Sequence, residues 1–343
     1  MTMTTLPTRQ IGALTVSNIG LGCMNLNHAY GPGPEEAYSI RLLNHALDAG
    51  VTFFDTAAIY GAGENERLLG KAIMHRRAEF TLASKCVLGI SNGQRFLDGT
   101  PAAMTKTLDE ALIRLGTDYI DLYYMHRLDA NVPVEDSVGA LARAREAGKI
   151  GAIGLSEMSA ATIRRAYAVH PITAIQTEYS PWVRNPEVAV LDICNELGIG
   201  FVAFSPLGRG FLAGAVTDDQ YVKGDLRSIM PRFVGAALAH NLDLLAQYRT
   251  IAQDAGITPA QLALAWVLSR QPNIVALPGT RSIEHLDEDL AAAHVMLPAD
   301  VLAQVDEVFA PGRVAGTRYP LQLQVQIDTE LLPEETEMAD QAS

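Results

Sequence analysis

Cysteine is scarce in this chain. Cys23, Cys86 and Cys194 are the only three in 343 residues. Their odd number and lack of metal-type spacing argue against a disulfide framework or a thiolate metal centre. No Lys/Arg cluster interleaved with aromatics occurs, which argues against a nucleic-acid footprint. No apolar run reaches membrane-span length. The N-terminus, Met-Thr-Met-Thr-Thr-Leu-Pro-Thr-Arg-Gln, lacks the apolar core of a secretory signal. Basic residues are outnumbered, 26 Lys and Arg against 39 Asp and Glu, for a formal charge of −13. Asp328, Glu330, Glu334, Glu335, Glu337 and Asp340 follow Arg318 with no base among them. Such acidity reads as solubility, not as a surface for a cationic partner. The expectation is a reduced, soluble, cytoplasmic protein that engages neither nucleic acid nor membrane. Its oligomeric state is left open.

What is present is a regular beat of short apolar runs and helical spacings. A hairpin is predicted over 8–16, turning at Gly12-Ala13. Strands are predicted over 19–24, 51–55, 80–85, 120–125, 150–155, 174–177, 199–204 and 274–277. Helices are predicted over 34–49, 64–72, 101–115, 133–147, 159–169, 185–197, 242–255, 259–270 and 282–293. Pro101 near a first turn, and Gly50, Gly148 and Gly198 just past helix ends, punctuate the pattern. Eight strands alternating with helices make a (β/α)8 barrel the economical fold, with an open doubly wound sheet as the alternative. One barrel domain spans 1–331. The loop 205–239 is too long for a plain connector and reads as functional. One further helix is expected over 298–309. The segment 313–329 is expected to cross the barrel mouth, and 332–343 to be an acidic, disordered tail.

The chemistry gathers at strand ends. Val51-Thr-Phe-Phe-Asp55 runs into Thr56-Ala-Ala-Ile-Tyr60-Gly61. The next strand ends at Lys85 and the one after it at His126. Taken singly, Asp55 reads as a capping residue, Tyr60 as packing, Lys85 as a surface ion pair and His126 as a satisfied core residue. Adjacent strands lie ~4.8 Å apart, so the set shares one lip of the barrel, where such folds keep their chemistry. The four suit proton delivery to a carbonyl oxygen. An ammonium beside a phenol stabilises tyrosinate and is expected to lower its pKa. Asp55 would hold Lys85 charged, and His126 would donate a hydrogen bond or relay the proton. No nucleophilic Ser or Cys stands with a base, and no His/Asp/Glu set has metal spacing, so hydrolysis is poorly supported.

These four residues, their strand-end order, and the phrases Asp55-Thr-Ala-Ala-Ile-Tyr-Gly61, Leu122-Tyr-Tyr-Met-His126, Gly154-Leu-Ser-Glu157 and Phe204-Ser-Pro-Leu-Gly-Arg-Gly210 resemble an aldo-keto reductase. The resemblance covers residues 8 to 320. It implies a (β/α)8 barrel that reduces aldehydes and ketones with NADPH and without metal. It makes Tyr60 the general acid, with Asp55, Lys85 and His126 completing the tetrad. It places Gly22, Cys23 and Met24 beside the nicotinamide. Ser156, Glu157 and Gln176 fall at the carboxamide, with Glu157 where many members carry Asn. Phe204 is placed to stack on the nicotinamide, and Ser205, Leu207 and Gly210 to line the pyrophosphate.

Gly208-Arg-Gly-Phe-Leu-Ala213 also fits G-x-G-x-x-A. It is not read as a Rossmann turn, because no compact βαβ unit with its acid follows. Gly279, Thr280, Arg281, His285, Glu288 and Asp289 fall where the resemblance puts the adenosine 2′-phosphate. His285 and Asp289 stand where members often carry Arg and Asn. Candidate substrate-pocket residues are Met24, Asn25, Tyr30, Trp182 and the segments 230–233 and 318–323. The resemblance also admits a cofactor-binding regulatory protein like a potassium-channel β-subunit, against which the complete tetrad weighs.

Overall fold

Thr8–Ile11 (β1) and Leu14–Ser17 (β2) pair antiparallel about Gly12-Ala13. The computed structural model describes residues 5–91, 93–333, 335 and 336. After the hairpin come Leu21–Gly22 (β3), Glu36–Asp48 (α1), Phe53–Asp55 (β4), Glu64–Ile73 (α2) and Thr81–Cys86 (β5). A second hairpin, Leu88–Ser91 (β6) with Gln94–Leu97 (β7), precedes Pro101–Leu115 (α3). The alternation continues through Ile120–Met125 (β8), Val134–Glu146 (α4), Ile150–Ser156 (β9), Ala160–Val169 (α5), Ala174–Glu178 (β10), Val190–Leu197 (α6) and Gly200–Phe204 (β11). Gly235–Asp254 (α7), Pro259–Arg270 (α8), Ile274–Leu277 (β12), Ile283–Ala291 (α9), Ala299–Val308 (α10) and the single turn Leu321–Gln324 (α11) complete the chain.

Eight parallel strands follow one another in the order β3, β4, β5, β8, β9, β10, β11, β12. The ring closes where Ile19 bridges Ala276 in parallel. There Gly20 N donates to Ala276 O at 2.9 Å, and Ala276 N donates to Asn18 O at 3.0 Å. Closure makes this a (β/α)8 barrel and excludes the open sheet. Two apolar layers hold it. Phe53, Leu122, Tyr124, Val202 and Val275 fill the interior, and Ile11 and Val16 of the first hairpin join them. Phe54, Leu82, Tyr123, Ile153 and Phe201 face the helices. Burying each such side chain contributes about 1.5–3 kcal/mol. Gly154 is required inside, because a Cβ there would lie 2.3 Å from the Tyr124 ring.

Local chemistry fixes the helix ends. Thr258 caps α8 in a capping box, its hydroxyl accepting from Gln261 N while Gln261 Oε1 accepts from Thr258 N, both at 3.2 Å. Three expectations change. The β6–β7 hairpin was not anticipated, although Asn92-Gly93 between apolar positions is a strong hairpin signal. Helix α7 starts at Gly235 rather than at 242, since Asn241 Nδ2 anchors its first turns by donating to Arg232 O and Ala315 O at 3.1 and 3.0 Å. The tail expected to be disordered from 332 is docked at Glu335, which is 5% exposed. Its carboxylate accepts from Asn185 Nδ2 at 2.6 Å and pairs with Arg232 at 3.3 Å. Positions 334 and 337–343 of that tail lie outside the described residues. Among the described residues no helix is long and apolar enough to cross a membrane.

Candidate active site

The alternation that builds the inner core also aims the chemistry. In β4, Phe53 faces the interior and Phe54 the helices, so Asp55 returns to the interior. In β5, Ala83 faces in and Ser84 out, where its hydroxyl donates to Glu66 Oε1 at 2.6 Å, so Lys85 faces in. In β8, Leu122 and Tyr124 face in, Tyr123 and Met125 face out, and His126 takes the next inward position. Tyr60 enters from the turn Tyr60–Gly63. Gly61 and Gly63 there take φ of 57° and 92°, a region glycine occupies freely.

The four side chains meet. Lys85 forms an ion pair with Asp55 and donates to Thr56 O at 2.9 Å and to the Tyr60 hydroxyl at 3.4 Å. The other Asp55 oxygen accepts from Gln176 Nε2 at 2.8 Å. The Tyr60 ring meets His126 edge-on at 5.8 Å and stacks on His28 at 6.0 Å. Asp55, Tyr60 and His126 line a cavity of about 750 Å³, and Lys85 sits fully buried behind them.

Burial opposes the Lys85 ammonium, but Asp55 and Tyr60 outweigh it and hold its pKa above the ordinary lysine value. Burial pushes the Asp55 carboxyl up, while Lys85 and Gln176 pull it back. At Tyr60 the sequence-based expectation is reversed. Burial outweighs Lys85 and Arg127, so the phenol lies above its ordinary value and remains a neutral group with a proton to give. Burial, then Arg127 and Lys85, drives His126 well below the ordinary histidine value. It is therefore neutral at pH 7, and its Nδ1 is buried without a partner among the described residues.

A groove extends from this point. Gly22 and Met24 border it from the end of β3. Cys23 does not: it is fully buried on the helix side of the strand, and burial raises its thiol pKa. Ser156, Gln176 and Phe204 line the groove at the ends of β9, β10 and β11. Glu157, one position past inward Ser156, does not line it. Its carboxylate pairs with Arg318 and accepts from Thr329 Oγ1 at 2.9 Å and Glu178 N at 3.0 Å. That charge holds the C-terminal segment, a use that sequence position alone does not reveal.

Ser205, Leu207 and Gly210 line the groove from the long loop. Gly279, Thr280, Arg281, His285, Glu288 and Asp289 line its far end. A Cβ on Gly279 would lie 2.9 Å from Gly22 O and 3.3 Å from the Asn25 side chain, so the cradle excludes any larger residue. Arg281 Nη1 donates to Tyr30 O at 3.3 Å and Pro32 O at 2.9 Å. Asp289 is 2% exposed, and burial, then Glu288, raises its pKa well above the carboxylate range.

Residues 18–310 match the Aldo/keto reductase family. The chain belongs to that family. Aldo-keto reductase yakc [NADP(+)] of Schizosaccharomyces pombe is 43% identical over 323 residues, covering 92% of this chain and 95% of that protein. Two solved structures share the fold at 26% identity. One is the glycerol dehydrogenase AKR11B4 from Gluconobacter oxydans, with a TM-score of 0.80, covering 97% of this chain and 99% of that one. The other is an aldo/keto reductase from Klebsiella pneumoniae in complex with NADP and acetate, with a TM-score of 0.70, covering 92% and 99%. As an aldo/keto reductase, the protein is an oxidoreductase.

In this aldo/keto reductase several cavity residues escaped the sequence reading: His28, Arg95, Arg127, Arg209 and Arg227. Arg127 directly follows His126, and Arg209 sits inside the quoted Gly208-Arg-Gly210 phrase, so both carried a positional signal. Met24, Asn25 and Tyr30 line the cavity as expected. Trp182 does not. It stacks on Phe211 at 4.0 Å and meets Phe233 at 5.2 Å in the core, and Met230 is fully buried. From the C-terminal segment, Tyr319 and Leu323 reach the cavity.

Proposed function

We propose that this protein reduces an aldehyde or ketone to the alcohol with NADPH, and runs the reverse oxidation when the alcohol is in excess. The observation that carries this reading is the contact of Lys85 with both Asp55 and the Tyr60 hydroxyl at the cavity wall beside His126. The groove fits the cofactor. It has a glycine cradle at Gly22 and Gly279, a cationic end at Arg281, and the N-terminus of α9 capped by Ser282. Gly22, Met24, Ser156, Gln176 and Phe204 would hold the nicotinamide end; Cys23 and Glu157 would not. Ser205, Leu207 and Gly210 would line the pyrophosphate. Gly279, Thr280, Arg281, His285, Glu288 and Asp289 would hold the adenosine end. Bound NADPH supplies the hydride.

The chain's own residues supply the proton. Tyr60 is a neutral phenol and gives its proton to the carbonyl oxygen as negative charge develops there. Lys85 then stabilises the tyrosinate, and Asp55 keeps Lys85 charged and in place. Neutral His126 donates one hydrogen bond to the same oxygen and orients the carbonyl.

Tyr60→Phe tests the reading. The ring still packs, so the barrel stays folded and NADPH still binds. The rate of NADPH oxidation with an accepted aldehyde, followed by absorbance, should fall by about 10²–10⁴-fold. Unchanged turnover would remove Tyr60 from the mechanism and promote the regulatory reading.

A further inference from the structure

The cavity walls carry five arginines, and they divide into kinds. Arg209 pairs with Glu178 at 2.9 Å, and Arg227 pairs with Asp225 at 2.7 Å, so both charges are compensated. Arg281 stands at the far end with the α9 residues. Arg95 and Arg127 line the cavity too, and both lie near enough to Tyr60 and His126 to act on them electrostatically. Neither makes an ion pair among the described residues, whereas the acids lining the cavity are spoken for or distant. Asp55 is paired with Lys85, and Glu288 and Asp289 lie on α9.

The two arginines come from separate places, Arg95 from β7 and Arg127 from the loop two residues past β8. Arg127 is braced by neutral acceptors only, His126 O at 2.6 Å and Ser156 Oγ at 3.2 Å, both through Nη1. Its Nε and Nη2 keep their donors. The exposed Arg95 side chain makes no hydrogen bond among the described residues. Arg127 is half-buried, where an uncompensated guanidinium costs free energy unless an anion meets it, and exposed Arg95 adds a second unpaired charge. Each is a planar fork suited to a carboxylate or phosphate. Ile59 and Leu88 cluster with Tyr60, Met24 packs against them, and Leu323 lines the same cavity.

We propose that the physiological substrate is an anionic carbonyl compound, with Arg95 and Arg127 receiving its carboxylate or phosphate while the carbonyl lies at Tyr60 and His126. This rests on the carbonyl-reductase reading given above. The anionic group is a handle and stays unchanged through the reaction. The field agrees with this placement: Arg127 and Arg95 are both among the charges that disfavour protonation of His126, so both act on the reacting end of the cavity. A chain with a net charge of −13 thus presents a local positive field at the point where substrate enters.

The test compares matched substrates at saturating NADPH and low salt. 4-Carboxybenzaldehyde is set against methyl 4-formylbenzoate, and glycolaldehyde phosphate against glycolaldehyde. Wild type should favour the anionic member in kcat/KM by about tenfold or more, the scale of one charged hydrogen bond. The pair with the larger ratio identifies carboxylate or phosphate as the matching handle. Arg95→Gln, at an exposed position where folding is not at stake, should bring the ratio towards one, and Arg95→Glu should take it below one. Benzoate should compete with the aldehyde and not with NADPH. If wild type reduces acid and ester equally and Arg95→Glu leaves the ratio unmoved, the anion site is refuted while the reductase reading stands. If none of the four compounds is reduced, the reductase reading fails and takes this inference with it.

Discussion

On the floor of the cavity, Asp55, Lys85 and His126 are aimed by strand alternation. At the rim, Glu157, Glu178, Arg209 and Arg318 are held by one another. The floor residues sit on adjacent hydrogen-bonded strands, with Asp55 opposite Gly22 and Lys85 opposite Tyr124. The rim residues come from the end of β9, from β10, from the long loop and from the C-terminal segment. Glu178 receives Arg209 at 2.9 Å, Arg318 at 3.0 Å and the Tyr319 hydroxyl at 2.9 Å. Beyond them Asp328 accepts from Ser159 N, and Glu330 from Ala160 N, both at 2.8 Å at the start of α5. The floor is thus rigid by backbone geometry and free to carry chemistry. The rim is assembled from charges that fasten the segment carrying Tyr319 and Leu323, both of which line the cavity.

That division can be broken at the floor first. Lys85→Met removes the cation facing Tyr60, and kcat should fall by about 10²–10⁴-fold while NADPH affinity, measured by fluorescence titration, stays within a few-fold. A large loss of NADPH affinity with kcat retained would move Lys85 out of the proton path. Breaking the rim should act on stability and substrate binding instead. Arg318→Ala leaves Glu157 and Glu178 buried without that partner, and urea unfolding should show a loss of about 3–5 kcal/mol. KM should rise more than kcat falls. A kcat loss equal to that of Lys85→Met would mean that rim and floor are one unit.

The same contrast explains what could be read in advance. Period-2 runs such as Phe53-Phe54-Asp55 and Leu122-Tyr-Tyr-Met-His126 carry their facing in their own order, so the barrel and the gathering of Asp55, Lys85 and His126 at one lip were legible. Glu157 was not, because its partners Arg318 and Thr329 lie far along the chain and no local pattern pairs them. Cys23 was misplaced by one step of the alternation: Gly22 borders the groove and Cys23 turns to the helices. The docking of Glu335 was hidden in the same way, since an acidic stretch gives no sign of the buried Arg232 that meets it.

At the cofactor end the expected effects are smaller. Arg281→Ala should weaken NADPH by about ten- to a hundredfold and leave NADH nearly unchanged, since a charged hydrogen bond contributes ~1.5–3 kcal/mol. Equal loss for both cofactors would place the 2′-phosphate elsewhere. The smallest effect is at Asp289. Its pKa is raised in the folded protein, so the native state keeps a proton that the unfolded chain releases above the ordinary carboxylate range. Stability from this group is therefore complete at low pH and declines as pH rises towards the raised value. Asp289→Asn should remove that decline, gaining on the order of 1 kcal/mol at pH 8 and nothing below about pH 4 in urea melts. A variant that loses stability at pH 8 would show that Asp289 is needed as a charge.

The central claim is that Lys85 acts through the proton of Tyr60, and a double-mutant cycle in single-turnover NADPH oxidation tests it most directly. Wild type, Tyr60→Phe, Lys85→Met and the double variant are compared with one accepted aldehyde. The expected result is that the double variant loses no more rate than the more damaged single variant, because both changes remove the same proton transfer. Losses that multiply would contradict it, since the lysine would then assist the reaction by a route that does not pass through the tyrosine.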